Sequence, residues 1–244
     1  MAAKDAQNRI EKKLVVLSGA GISAESGVAT FRGSGGLWEG YDIQEVATPE
    51  AWEANYKRVL EFYNARRRNI AEVEPNMAHT LLAEMESWCD VRIVTQNIDN
   101  LHEQAGSTHV LHLHGEITKA CSSNGKNHIT EIGFDDIADG DVCLDGFQMR
   151  PFIVWFGENV PQIEYAAEVV RTADVLLIIG TSLEVYPAAG LVDFLESHVP
   201  IYVIDANPVQ HKISAPNSVT HIARGGSEGM KEFVEILKNN LRYE

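Results

Sequence analysis

Five short apolar stretches punctuate the chain, at residues 13–18, 91–95, 109–113, 175–179 and 201–204. They are rich in Val, Ile and Leu and do not alternate with polar residues, the pattern of strands covered on both faces. Between them, apolar positions recur at helical spacing. In residues 49–70 the set Trp52, Tyr56, Val59, Leu60 and Tyr63 steps by three and four along one helix face. Residues 77–88, 163–172, 188–197 and 228–241 read the same way. Strands alternating with helices predict an α/β fold with a doubly wound parallel sheet. Two segments interrupt this rhythm. Residues 37–74 are helical and stand between the first and second strand units, and residues 116–152 are polar and irregular. The second is too long to leave structureless inside a compact core. The expected organisation is one domain over 1–244, with a core about 10–36, 75–115 and 153–244, a helical insert about 37–74 and a small irregular module about 116–152.

Charge and cysteine usage narrow the function. The chain has 35 acidic and 20 basic residues, a formal net charge of −15. That balance argues against nucleic acid or an anionic membrane surface as partner, since both need a basic footprint. No apolar run approaches the ~20 residues that cross a bilayer, and the N-terminus lacks the apolar core of a signal peptide. Cys89, Cys121 and Cys143 are odd in number and scattered, which does not suggest a disulfide framework. The expectation is a soluble, cytoplasmic monomer with no membrane or nucleic-acid partner.

The first strand runs straight into Gly19, Ala20, Gly21, Ile22, Ser23 and Ala24, the Gly-x-Gly-x-x-Ala form of a dinucleotide fingerprint. Gly19 permits a tight turn, and Gly21 lets backbone amides approach a pyrophosphate at a helix N-terminus. In this setting the sheet reads as Rossmann-like, although glycines after a strand can also mark a simple turn. A dehydrogenase would add a second strand ending in an acid about 20 residues on, to hold the ribose. Glu39 and Asp42 fall near that distance but follow no predicted strand. The cofactor should therefore lie differently from that of a hydride-transfer enzyme.

Further motifs follow in order: Phe31, Arg32 and Gly33; Gln96 to Asp99; Leu113, His114 and Gly115; Val154 to Glu158; and Gly180, Thr181 and Ser182. Together with the glycine loop they resemble the motif set of the sirtuins, NAD-dependent protein lysine deacylases. The resemblance runs from about Leu14 to Gly226. It implies NAD as cofactor, with Gly19, Ala20, Gly21, Ile22 and Ser23 at the pyrophosphate and Ala24 beside them. Thr30, Phe31, Arg32 and Trp38 would belong to the cofactor loop. Gln96, Asn97, Ile98 and Asp99 would form the nicotinamide pocket, with Asp99 accepting from the carboxamide. Gly180, Thr181 and Ser182 would bind the adenosine side, with Asp205, Ala206, Asn207 and Gly226 closing it. Asp205 stands where the family usually has Asn.

His114 is then the expected catalytic residue. The implied chemistry is attack of the acyl-lysine oxygen on C1′ of the nicotinamide ribose as nicotinamide leaves, giving an alkylimidate. His114 acts as general base through the ribose hydroxyls. Water then releases lysine and 2′-O-acyl-ADP-ribose. A histidine suits the role because its unperturbed pKa of ~6.5 lets it accept a proton near neutrality. His102, His109 and His112 read as structural. Val154, Trp155, Phe156, Gly157 and Glu158 look like a strand-like edge for an extended substrate peptide, with Val185 opposite.

Tyr63 and Arg66 lie three apart and so share a helix face. A guanidinium with a phenol can bind a carboxylate by charge-assisted hydrogen bonds. The resemblance includes the subgroup that removes succinyl, malonyl and glutaryl groups, which carries Tyr-x-x-Arg here, and Ala47 matches its small pocket residue. Read without the family, Arg66, Arg67 and Arg68 are a solvated basic face. Most sirtuins also hold a structural zinc on two Cys-x-x-Cys pairs. Here Asn124 follows Cys121 in place of a second cysteine, and Val142 and Asp145 fall where the second pair belongs. A closed site wants four Cys or His ligands, so the expectation is no zinc, in a zinc-ribbon-like module lacking its metal ligands. The expected function is a deacylase of acyl-lysine proteins favouring acidic acyl groups and acting more weakly on acetyl. The alternatives are an NAD-dependent protein ADP-ribosyltransferase and a non-catalytic NAD or ADP-ribose binding module.

Overall fold

The computed structural model describes residues 12–30, 37–38, 41–207, 213 and 216–242. In chain order its elements are β1 (Lys13–Ser18), β2 (Leu37–Trp38), β3 (Tyr41–Asp42), α1 (Ile43–Val46), α2 (Pro49–Ala71), α3 (Met77–Met85), β4 (Asp90–Thr95), α4 (Leu101–Gln104) and β5 (Val110–His112). Then come β6 (Gly115–Ser122), β7 (Thr130–Glu131), β8 (Met149–Ile153), α5 (Ile163–Arg171), β9 (Val175–Ile179), β10 (Ile201–Ile204), β11 (Val219–Ile222) and α6 (Gly226–Arg242). Six strands form one sheet in the order β11-β10-β9-β1-β4-β5. Every pairing in it is parallel. This is the Rossmann-like doubly wound sheet that the apolar runs predict.

The two faces of the sheet are visible in β1. Leu14 and Val16 pack with Leu82, Met85, Leu177 and Phe233, under α3 and α6. Val15 and Leu17 pack on the other face with Ala166, Val170, Leu176 and Leu191, under α5 and the following turn of helix. Alternate side chains of a strand point to opposite faces, so a strand apolar throughout is explained by cover on both. A third apolar cluster joins the helical insert to the core: Val46, Val59, Phe62 and Tyr63 pack on Ile98, Ile153 and Trp155. The helix α2 starts cleanly because Thr48 Oγ1 accepts from Ala51 N at 3.1 Å, with Pro49 in the first turn.

The local pattern was insufficient in four places. The fingerprint does not open an α-helix. It opens two short 3-10 turns, Ala20–Ile22 and Ala24–Ser26, closed by Gly27 at φ 95°. Residues 188–197 do not form an α-helix either; a 3-10 run, Ala188–Phe194, follows Pro187 and contains Gly190, a weak helix former. The module at 116–152 is not irregular throughout, since β6, β7 and β8 form an antiparallel sheet in the order β7-β6-β8. Finally, β11 extends the main sheet beyond β10 with a strand of mixed polarity.

Candidate active site

The motifs meet because parallel strands all present their C-terminal ends to one edge of the sheet. Gly19 follows β1, Gln96 follows β4, Gly180 follows β9 and Asp205 follows β10; His114 lies two residues past β5. The chain builds outward from β1 through β4 and β5, then returns to β1's other side with β9 and β10. A crevice opens where the strand order reverses, the usual ligand site of such sheets. Here it is a cleft of about 400 Å³.

The glycines of the fingerprint are explained by a close approach of two loops. Gly19 N donates to Ile179 O at 3.1 Å, and Gly21 N donates to Gly180 O at 2.8 Å. A Cβ on Gly21 would lie 2.7 Å from Gly180 Cα, and one on Gly180 would lie 2.2 Å from Ile22 N. Gly180 also has φ +64°, a left-handed conformation that side chains disfavour. So Gly21 is needed here for loop packing, and its own amide is taken by Gly180. Gly19, Ala20, Gly21, Thr30, Gly180, Thr181, Ser182, Asp205 and Asn207 line the cleft. Thr181 is tied across it, its Oγ1 accepting from Gln96 Nε2 at 3.0 Å.

Gln96, Asn97, Ile98, Asp99 and His114 line the same cleft. Asp99 is held by its neighbours: Oδ2 accepts from Ser23 Oγ at 3.1 Å and Oδ1 from Leu101 N at 3.2 Å. Asn97 Nδ2 donates to the same serine oxygen at 3.1 Å. Burial pushes the Asp99 carboxyl up, opposed by these hydrogen bonds and by His112. His114 Nδ1 donates to Gln96 O at 3.0 Å. That bond fixes the tautomer and leaves Nε2 as the basic nitrogen. Burial lowers the His114 pKa, with the Gln96 contact opposing, so the ring is a neutral base at physiological pH.

Ala47, Tyr63, Arg66, Val154, Trp155, Phe156, Gly157, Glu158 and Val185 also line the cleft. Tyr63 is 0% and Arg66 4% exposed, so Arg66 is no solvated surface charge. Arg67 is buried too, donating to Ile117 O at 2.8 Å and Asn64 Oδ1 at 2.7 Å, while Arg68 is exposed and pairs with Asp136. Burial holds the Tyr63 hydroxyl far above its usual pKa, so it remains a donor. Of the expected strand-like edge at Val154 to Glu158, Val154 and Trp155 continue past the end of β8 with Val154 N donating to His114 O at 2.8 Å, and only Phe156 to Glu158 fold into a turn. Glu158 fixes that turn. Its Oε2 accepts from Trp155 N at 2.6 Å, and its Oε1 accepts from Arg150 Nη1 at 3.0 Å. The turn is also anchored to the insert by Phe156 N donating to Ala47 O at 3.0 Å.

Some expected residues stand apart from the cleft lining. Ile22 is core, Ser23 lies behind Asp99, Ala24 is exposed, Ala206 sits between two lining residues, and Gly226 begins α6 beside Glu25. Phe31, Arg32 and Gly33 lie outside the described residues, as does the side chain of Trp38. The lining adds Val28, Ala29, Ile153, Val160, Tyr186 and Pro187, all chain neighbours of the motif residues and apolar enough to read as core. In the small module the donor set does not fit a closed zinc site. Cys121 Sγ faces Pro151 O and Cys143 Sγ faces His128 O, each at 4.0 Å, and burial pushes the Cys121 thiol up to about 11. Among the described residues no group of three or more His, Cys, Asp or Glu could hold a metal ion. Asn124 and Asp145 are instead tied to Ser122 Oγ, at 3.0 Å and 2.7 Å. No helix among the described residues is long and apolar enough to cross a membrane.

Residues 19–187 match the Sir2 family. A protein of Bacteroides thetaiotaomicron named NAD-dependent protein deacylase is 50% identical over 231 residues, covering 93% of this chain and 98% of its own length. One of the same name from Helicobacter pylori (strain J99) is 48% identical over 226 residues, covering 93% and 95%. A solved complex of a mutant Sir2 homologue with ADP-ribose superposes with a TM-score of 0.84 at 34% identity, covering 100% of this chain and 99% of that one. A Sir2 homologue–NAD complex superposes at 0.80 with 35% identity, covering 94% and 91%.

Proposed function

Because the chain belongs to the Sir2 family, and is with its near relatives an NAD-dependent protein deacylase, we propose that its cleft removes acidic acyl groups, succinyl and malonyl, from protein lysines in preference to acetyl. The carrying observation is that the buried Tyr63 and Arg66 line the same cleft as His114. Acyl chains ending in methyl offer that pair nothing to bind. A carboxylate offers it a charge-assisted, two-pronged contact in a dry setting.

The residues present fit NAD. Two loops meet at Gly21 and Gly180 with no room for a Cβ, and an acid, Asp205, stands at a strand end beside them, suited to ribose hydroxyls. When bound, NAD supplies the ribose carbon that exchanges nicotinamide for the acyl oxygen. Asn97 and Asp99 hold the carboxamide end, with Ser23 orienting both side chains. His114 takes a hydroxyl proton onto Nε2, its ring held by the Gln96 carbonyl. The 154–158 segment and Val185 flank the lysine-bearing segment. The small module holds together through Ser122, Asn124 and Asp145 without zinc, a claim that one zinc per purified chain would refute.

The test is steady-state nicotinamide release with NAD and two peptides of one sequence, succinylated or acetylated. A higher kcat/KM for the succinyl peptide is expected. Equal or better turnover of the acetyl peptide removes the acidic-acyl assignment.

A further inference from the structure

Two histidines two residues apart have different hydrogen-bond surroundings. His114 Nδ1 donates to Gln96 O at 3.0 Å, and His112 Nδ1 lies 2.8 Å from the next carbonyl, Asn97 O. The two rings thus grip consecutive peptides of the loop after β4. His112 differs on its other side, where Nε2 lies 2.9 Å from Glu103 Oε1. A carbonyl only accepts, and so does an ionised carboxylate. A ring satisfying both must donate from both nitrogens, and such a ring is an imidazolium. The His112 side chain is only 6% exposed, whereas that of Glu103 is 40% exposed.

We propose that His112, held as an imidazolium by Glu103, is a positioning residue for the nicotinamide side of the cleft: it fixes the Asn97 peptide, and its charge supports the buried Asp99 carboxylate. The functional half rests on the deacylase reading above; the protonation half does not. The groups facing His112 are Glu103 and His102 of α4, Glu116 of β6 and Asp99 of the intervening loop. His102 is held neutral by burial, so the balance around His112 is acidic. Burial opposes the charged ring, but the Glu103 contact and Asn97 carbonyl outweigh it and raise the His112 pKa. Environments that push two neighbouring titratable groups apart divide their roles. The cation positions, and the neutral His114 accepts the proton.

The test uses the full chain with 15N-labelled histidine, followed by NMR across pH, with the His112 signal assigned by its disappearance in His112→Gln. A doubly protonated His112 ring at pH 7 is expected in the wild type. In Glu103→Gln, which keeps the acceptor and removes the charge, the ring should deprotonate at lower pH. The same variant should raise the inhibition constant for nicotinamide by about tenfold, the worth of one charge-assisted hydrogen bond. The KM for the acyl peptide should stay within about twofold, since the Tyr63 side of the cleft is untouched. Glu103 is exposed enough that this variant should fold even where His112→Gln does not. A neutral His112 at pH 7 in the wild type overturns the proposal. So does an unchanged nicotinamide constant in an otherwise active Glu103→Gln enzyme. A wild type that releases no nicotinamide with any acyl peptide overturns the deacylase reading and its nicotinamide corollary, while the NMR arm still decides the protonation state.

Discussion

Replacing Arg66 with Met removes a cation while keeping an unbranched side chain of similar reach. At 4% exposure the guanidinium is inside the protein, its central carbon 5.8 Å from the Phe62 ring and one helical turn from Tyr63. Water has no ready access there to solvate a substrate carboxylate in place of the guanidinium. A hydrogen bond to a charged group is worth about 1.5–3 kcal/mol. Removing that much transition-state stabilisation lowers kcat/KM for a succinyl peptide roughly 10- to 150-fold. An acetyl group makes no such hydrogen bond, so its kcat/KM should stay within about threefold. The assay is steady-state nicotinamide release with the two peptides at fixed NAD, alongside a thermal melt to show that the variant is folded. An equal drop on both peptides, in a folded variant, refutes the reasoning, because Arg66 would then support the cleft without reading the acyl chain.

Three further outcomes follow from the same geometry. The acid limb of kcat/KM should fall below the ordinary histidine value of ~6.5, because burial lowers the His114 pKa and protonation at low pH removes the base; His114→Ala should cost about 10²–10⁴-fold. Gly180→Ala should weaken NAD binding at least about tenfold, since its Cβ would sit 2.2 Å from Ile22 N in a left-handed conformation, and calorimetric titration reads this directly. Stability should drop as pH falls from about 6.5 toward 4, because burial lowers the His79 pKa to about 4 and the unfolded chain binds the proton first; the His79 share is about 3 kcal/mol. His79→Gln keeps an acceptor for Asn76 N and should flatten that slope in urea melts at pH 7 and 4.5; an unaltered slope counts against the assignment.

The strand ends were legible in the sequence because a parallel sheet writes its buried strands as plain apolar runs, and each run here leads into a motif. The cleft itself depended on the strand order reversing about β1, which chain order does not reveal. What escaped was pairing over distance. In β6 the charges of Glu116 and Lys119 disguise a strand, yet Lys119 is satisfied by Glu116 at 2.7 Å and by Glu131 at 3.3 Å across the sheet. Its partner β8 lies some thirty residues away, with Cys121 opposite Arg150. No local periodicity announces such a register. The same holds for the histidines. His112 reads as an ordinary structural residue until Glu103 is brought to it by α4. Without the family resemblance, Arg66 and Arg67 read as part of a solvated face because three consecutive arginines usually are; the resemblance singled out Arg66 alone, and the helix turns both it and Arg67 inward.

The most direct test of the acidic-acyl deacylase assignment is mass spectrometry of the products formed from NAD and a succinyl-lysine peptide. Free lysine peptide, nicotinamide and 2′-O-succinyl-ADP-ribose are expected in equal amounts, with formation slowed about 10²–10⁴-fold by His114→Ala. Absence of all three products, or ADP-ribose found attached to protein in place of the acyl-ADP-ribose, would contradict it.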